Sequence, residues 1–448
     1  MPRLAARMPG ALLSMSLLAG TAVAAIHVDG DLPRQADLGF RVRTTAEGLV
    51  TRRVDPQSAA HRAGLRDGDR LTRVNGASFA KPYRGEALLE KLDGGKPLRL
   101  AIVRDGASQE VTFTPPAKPL EQIEGLDSYY GVLDTPDGAR LRTILTRPAG
   151  TTGPLATIFF VQWVSCDSVE FTDPGAWIDV FKAVAQRSGM AMFRVERSAN
   201  GDSEGPACHE LDLETELAHY RFAFDRLTDS PHVDPDRVVV LGNSLGSMLV
   251  PMVAQDRRVS GAAITSGGGL SYYERMLHFD RMHLERGGGA PGELHEKLMD
   301  QARFHVEYLL NGRTPEEIAA RDPELGKVWG QIPHVGDGVH YGRPYAYHHQ
   351  AARLNLLGAW AAIDAPVLVL YNEFDQYESR RGAEVVVETV NRLRPGTARL
   401  VVLPMLDHSF YLHPSADAAF RGEGGVAVPE PGAQAILDWL QQAVLRSR

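Results

Sequence analysis

The chain has 448 residues, 44% of them hydrophobic and 23% charged, with a formal net charge of −8. That length leaves room for more than one domain at roughly 100–200 residues each, and the composition is that of a globular chain. An acidic balance with no basic face argues against nucleic acid as a partner.

Residues 1–25 carry the three parts of an export signal. Arg3 and Arg7 supply positive charge, residues 11–20 a short apolar run, and Ala22-Val23-Ala24 a small-x-small cleavage pattern. The run is about half of the roughly 20 apolar residues that a membrane span requires, and no later segment is long and apolar enough to span. The mature protein is therefore expected to be soluble, in the periplasm or secreted. Its two cysteines, Cys166 and Cys208, are free to pair in such a compartment if the fold lets them meet.

Residues 36–114 read as a small β-rich unit. Residues 38–43 and 49–54 are short alternating runs, and a one-turn helix from Ser58 is stopped by Gly64. Turns are expected at Asp67-Gly68, Asn75-Gly76 and Asp105-Gly106, with a helix over 85–92 and a hairpin of 98–103 with 111–113. The run Ser58-Ala59-Ala60, Ala63-Gly64-Leu65, Gly68-Asp69, Val74-Asn75-Gly76 resembles a PDZ domain of the bacterial exported type. Leu38-Gly39-Phe40 stands at the place of that family's carboxylate-binding loop. The resemblance implies that a peptide C-terminus adds as a strand beside Leu38, Gly39 and Phe40; the plainer alternative is a packing module without a ligand. Residues 115–125, opening with Pro115-Pro116-Ala117-Lys118-Pro119, read as a stiff linker at a domain boundary.

From residue 126 apolar strands alternate with helices. Strands are expected at 141–146, 157–161, 190–195, 237–241, 262–265, 366–371 and 400–403, and helices at 174–187, 209–227, 380–393 and 432–445. A helix-rich, aromatic insertion covers about 270–360. Continuous apolar strands interleaved with helices indicate a mostly parallel sheet covered on both faces.

Two segments fit G-x-S-x-G. Gly242-Asn243-Ser244-Leu245-Gly246 follows an apolar strand and opens a helix, the bend that pushes a serine into the open. Gly201-Asp202-Ser203-Glu204-Gly205 runs into Pro206 and Cys208 and reads as a loop. A hydroxyl is a poor nucleophile without a base, and the base needs an orienting acid. His408, just beyond the last strand, is the candidate base. Asn372-Glu373-Phe374-Asp375 offers the acid, with Asp375 preferred to Glu373 because it lies further into the loop; Asp407 must diverge from its neighbour.

These positions and their order make residues 126–448 resemble an α/β-hydrolase, so the whole is expected to be an α/β protein with a helical lid insertion and a small β-rich PDZ-like domain before it. The resemblance implies Ser244 as nucleophile, His408 as base, Asp375 as acid, and an oxyanion hole of the Leu245 N–H with that of Trp163 or Val164. It also brings the loops of Cys166 and Cys208 side by side at the catalytic mouth, where a disulfide is expected. Pro251 is expected to kink the helix after Ser244. The insertion stands where the family has its lid; its His and Tyr between Trp329 and His349 read as a pocket wall, with no metal-ligand spacing. No cofactor is expected. The function implied is that of an exported serine hydrolase cleaving carboxylic esters or small-peptide amides. A prolyl-oligopeptidase-like peptidase and an inactive PDZ-type adaptor are the alternatives.

Overall fold

The computed structural model describes residues 32–445, apart from 46–47, 80–81, 173–174 and 337. The export signal expected over 1–25 lies outside the described residues.

The N-terminal unit is an antiparallel sheet. Its strands are β1 (Arg41–Thr45), β2 (Gly48–Arg52), β3 (Arg70–Val74), β4 (Ala77–Ser78), β5 (Leu98–Arg104) and β6 (Ala107–Phe113). They pair in the order β1-β2-β3-β5-β6, with β4 on β3. Two helices, α1 (Ala59–Arg62) and α2 (Pro82–Glu90), accompany them. Ser58 caps α1 through its hydroxyl, 3.0 Å from the His61 N–H. Leu98, Leu100 and Ile102 alternate inward and are buried with Leu49, Leu65 and Leu71. Asn75 and Asp105, each with φ of 50°, take the left-handed conformation that their tight turns need.

One boundary differs from the sequence reading. The first strand begins at Arg41 because Gly39 turns the chain at φ +67°, in a place where a Cβ would lie 2.2 Å from that of Ser58. Leu38, Gly39 and Phe40 are thus a loop leading into β1. The segment 115–125 also departs from a bare spacer. Asp37 N donates to Pro116 O and Lys118 N to Gln35 O, both at 2.8 Å. Buried Glu121 pairs with buried Arg194 and accepts from Ser128 Oγ. Charge pairing, invisible in a proline-rich composition, anchors it.

The second sheet has eight strands: β7 (Leu126–Asp134), β8 (Arg140–Pro148), β9 (Leu155–Val161), β10 (Ala191–Val195), β11 (Val233–Asn243), β12 (Gly261–Thr265), β15 (Val367–Asn372) and β16 (Ala398–Leu403). Their order is β16-β15-β12-β11-β9-β10-β8-β7. Pairing is parallel from β16 through β10, then antiparallel to β8 and β7. Helices α3 (Ala176–Arg187), α4 (Leu213–Thr228), α5 (Gly246–Ala254), α12 (Arg380–Leu393) and α14 (Glu430–Trp439) cover it. Phe159, Val240 and Leu249 belong to one core layer; Phe160, Leu241 and Phe181 belong to the layer on the opposite face. The helix expected from residue 209 starts at Leu213, because Asp212 caps it by accepting from Thr215 N at 2.8 Å. Helix α5 runs on through Pro251 and ends at Ala254.

Between β12 and β15 lies the cap. It comprises α6 (Tyr272–Arg286), α7 (Pro291–His305), α8 (Pro315–Arg321), α9 (Pro323–Gly326), the hairpin β13 (Val339–His340)–β14 (Arg343–Pro344), α10 (Tyr345–Ala351) and α11 (Leu356–Ala362). After β16 come the small hairpin β17 (Tyr411–Leu412)–β18 (Val426–Ala427) and α13 (Ala416–Arg421). The C-terminal ends of β9, β11, β15 and β16 meet beneath the cap, which is where ligands sit in open parallel sheets.

Candidate active site

Ser244 stands at the bend from β11 into α5 with φ +54°, a strained value for a non-glycine residue. Two glycines permit the bend. A Cβ at Gly242 would meet Val250 Cγ2 at 2.5 Å, and one at Gly246 would meet the Gln162 and Val161 carbonyl oxygens at 2.4 and 2.6 Å. Gly246 therefore lets the start of α5 press against the end of β9. Ser244 N donates to Thr265 O at 2.9 Å, which ties the bend to β12.

His408 Nε2 lies 2.9 Å from Ser244 Oγ. On its far side, Nδ1 is 2.9 Å from each carboxylate oxygen of Asp375. The carboxylate fixes the tautomer: Nδ1–H donates to Asp375, so Nε2 is left to accept from the Ser244 hydroxyl. Asp375 is itself held, its Oδ1 accepting from Tyr377 N and Glu378 N at 2.8 and 2.9 Å. Burial disfavours the His408 imidazolium, but the Asp375 carboxylate outweighs it and the net shift is upward. Glu373 points elsewhere and accepts from Met405 N at 2.9 Å. Asp407 braces its own turn through Ser409 N, Tyr411 N and His413.

Leu245, Trp163 and Val164 all border the cavity that contains Ser244. Their backbone N–H groups meet no acceptor among the described residues. The cavity has a volume of about 280 Å³ and is walled by the rings of Trp163, Trp177, Tyr272, Tyr341 and Tyr377, with Arg275 among them. Tyr377 meets the His408 ring edge-on at 4.7 Å and stacks on Phe279 of the cap. The cap histidines divide between wall and interior. His334 lines the cavity, whereas His348 is buried, donates from Nε2 to His340 O and accepts from the Tyr272 hydroxyl, each at 2.7 Å.

Cys166 and Cys208 are joined, with Cα atoms 5.9 Å apart. The bond ties the loop after β9 to the one before α4. Ser203, of the second G-x-S-x-G segment, accepts from Arg142 N at 2.9 Å, and neighbouring Asp202 binds Arg34, Gln35 and Arg142. That segment docks the chain entering the PDZ unit.

Leu38, Gly39 and Phe40 line one groove together with Cys166, Asp167 and Ser168. Gly39 N already donates to Asp37 Oδ1 at 3.2 Å. Asp167 borders both this groove and the Ser244 cavity, and its Oδ2 accepts from Trp163 Nε1 at 3.3 Å. Sequence reasoning missed Arg275, Glu378, Arg197 and Glu216. A charged residue carries no local mark that it will be buried beside a distant partner.

An alpha/beta hydrolase family model matches residues 163–419, and a PDZ domain model matches residues 36–114. The chain belongs to the alpha/beta hydrolase family and carries a PDZ domain before its hydrolase sheet. Among curated proteins it is similar to the regulator of sigma-E protease RseP of Escherichia coli, 36% identical over 84 residues, 19% of this chain and 18% of that protein. It is also similar to a probable periplasmic serine protease, do/HhoA-like, of Haemophilus influenzae, 32% identical over 108 residues, 24% and 22% of the two chains. The chain thus spans about a fifth of the length of these relatives. Similar solved structures include Est1E of Butyrivibrio proteoclasticus with ferulic acid bound, at 15% identity and TM-score 0.46, covering 71% of this chain and 99% of that one. A hydrolase from Pseudomonas aeruginosa matches at 17% identity and TM-score 0.40, covering 69% and 98%. Among the described residues no helix is long and apolar enough to cross a membrane.

Proposed function

We propose that the protein is an exported serine hydrolase of small carboxylic esters, working through an acyl-enzyme on Ser244. The observation that carries this reading is the hydrogen-bond chain from Ser244 through His408 to Asp375. His408 Nε2 takes the hydroxyl proton as Ser244 Oγ attacks the ester carbon, while Asp375 steadies the imidazolium. The oxyanion is met by the N–H of Leu245 with that of Trp163 or Val164. Collapse expels the alcohol, which leaves with the proton from His408, and the acyl group stays on Ser244. Water activated by His408 then releases the acid.

A cavity of about 280 Å³ suits a small ester better than a polypeptide segment, which favours an esterase over a prolyl-oligopeptidase-like peptidase. The complete Ser-His-Asp set speaks against an inactive adaptor. In this reading the PDZ domain, residues 36–114, docks a peptide along β1 within the groove it shares with the hydrolase domain, residues 126–448. Export through residues 1–25 agrees with a bond between Cys166 and Cys208, which persists in the periplasm or outside the cell.

The test is covalent labelling with a fluorophosphonate, followed by a panel of p-nitrophenyl esters and aminoacyl-p-nitroanilides. Labelling of the wild type, none of Ser244→Ala, and turnover of esters but not anilides is the expected result. Full labelling of Ser244→Ala would overturn the mechanism.

A further inference from the structure

Arg275 is the one lysine or arginine among the described residues lining the Ser244 cavity. It stands in the first turns of α6, its side chain 15% exposed. Nε donates to Glu378 Oε1 at 2.6 Å, and the guanidinium carbon lies 5.8 Å from the centre of the Tyr272 ring. Its two terminal nitrogens remain accessible and meet no acceptor among the described residues. Arg275 also borders a second, smaller cavity, and both cavities include Ser244 and Tyr377.

A guanidinium presents two hydrogen-bonding edges, each matched to a planar carboxylate. Glu378 engages only Nε, so the pair of terminal N–H groups is left toward the cavity. Those accessible N–H groups can give up water for a carboxylate entering the cavity, a charge-assisted contact stronger than a neutral hydrogen bond. Glu378 more than offsets the burial of the Arg275 guanidinium, whose net shift is upward, so the cation persists with its terminal edge open to a further anion. Asp167, the carboxylate on the same wall, makes no ion pair with Arg275; its Oδ2 accepts instead from Ser165 Oγ at 2.5 Å and Trp163 Nε1 at 3.3 Å. The rest of the wall is chiefly aromatic.

We propose that the substrate of this site carries a free carboxylate, bound by the terminal nitrogens of Arg275, beside an apolar or aromatic portion that lies against Trp163, Tyr341 and Tyr377. The proposal rests on the serine-hydrolase reading above. The carboxylate belongs either to the acyl part, as in a half-ester of a dicarboxylic acid, or to the alcohol part.

Two matched ester pairs separate these sources. p-Nitrophenyl hemiadipate against p-nitrophenyl adipamate places the charge on the acyl part. 3-(4-Acetoxyphenyl)propanoate against its amide places it on the leaving part. In one pair, kcat/KM for the charged member should exceed that for the neutral member by about 10–100-fold, the range of one charge-assisted contact. Arg275→Gln should bring that ratio close to one, and Arg275→Lys should restore part of it. A merely structural role would lower both members alike and leave the ratio intact. No preference in either pair, or a ratio unmoved by Arg275→Gln, overturns the proposal.

A binding arm is independent of turnover. Calorimetry on Ser244→Ala should show 3-phenylpropanoate binding at least about tenfold tighter than 3-phenylpropanamide, an advantage lost in Ser244→Ala/Arg275→Gln. Equal or weaker binding of the acid overturns the proposal. Absent labelling of Ser244 with the acid still preferred would sink the hydrolase reading and leave the carboxylate site standing.

Discussion

Arg197 holds the loop after β9 by the backbone carbonyl of Trp163. Its Nη2 donates to Trp163 O, its Nη1 to Ser165 O at 2.7 Å, and its Nε to Glu216 at 2.7 Å. Glu216 is clasped from the other side by Arg343, and all three side chains are buried. Trp163 and Val164, the candidate second oxyanion donors, sit in the loop that Arg197 fixes. Arg197→Met should lower kcat by about 10–100-fold, within the cost of losing an oxyanion donor, with a smaller change in KM. It should also destabilise the fold by about 3 kcal/mol, as breaking a buried ion pair does. Arg197→Lys should recover part of the stability and little of kcat, because an ammonium cannot reach several acceptors in one plane. Steady-state kinetics beside urea unfolding measures both, and an unaltered kcat in folded Arg197→Met would refute the role.

The orienting acid can be assigned by a paired substitution. Asp375→Asn keeps the size of the side chain and removes its charge from His408, so kcat should fall by about 10³–10⁴. Glu373→Gln loses only a bond to Met405 N and should stay within about threefold of the wild type. Comparable losses in the two variants would count against Asp375.

In the proposed mechanism His408 must be neutral to accept the Ser244 proton. Since the Asp375 carboxylate, against burial, holds the His408 pKa above the ordinary value, the acidic limb of kcat/KM should have a midpoint above about 6.5. Activity rises as pH rises through that midpoint. In Asp375→Asn burial acts without the carboxylate, so the midpoint of the residual activity should move down. An upward move would contradict this account.

Glu196 links stability to pH. Burial pushes its carboxyl up to about 8, against the hydrogen bond from Ser168 Oγ. Between about pH 4 and 8 the folded chain keeps a proton that the unfolded chain has lost, so stability from this group falls as pH rises through that window. Glu196→Gln does not titrate. Its stability relative to wild type should therefore grow from pH 5 to 8, by on the order of 3 kcal/mol at about 1.4 kcal/mol per unit. Urea midpoints at both pH values measure it; a difference independent of pH would refute it.

The Cys166–Cys208 bond closes a segment of 42 residues. Replacing both by serine should cost about 3–4 kcal/mol in the chain-entropy picture. Because Cys166 adjoins Asp167 and the Trp163 loop, ester turnover should fall as well. Melting and turnover indistinguishable from the oxidised wild type would show that the bond does neither.

What the sequence determined by itself is local or periodic. Gly242, Ser244 and Gly246 announce their bend because a serine at φ +54° between two positions without room for a Cβ leaves few residues to choose from. Asp375 and His408 were legible because each lies a few residues past an apolar run: β15 is buried throughout, and β16, half-buried at the sheet edge, still ends in Leu400-Val401-Val402-Leu403. The left-handed turn at Gly39 and the cap at Asp212 moved element ends by three and four residues, since an alternating or helical pattern continues past the residue that stops it. Only the tertiary structure decided the rest. Arg275 meets Glu378 across 103 residues and Arg343 meets Glu216 across 127. A charged side chain is read as surface until folding buries it against its opposite, and nothing near it in the chain records which opposite that will be.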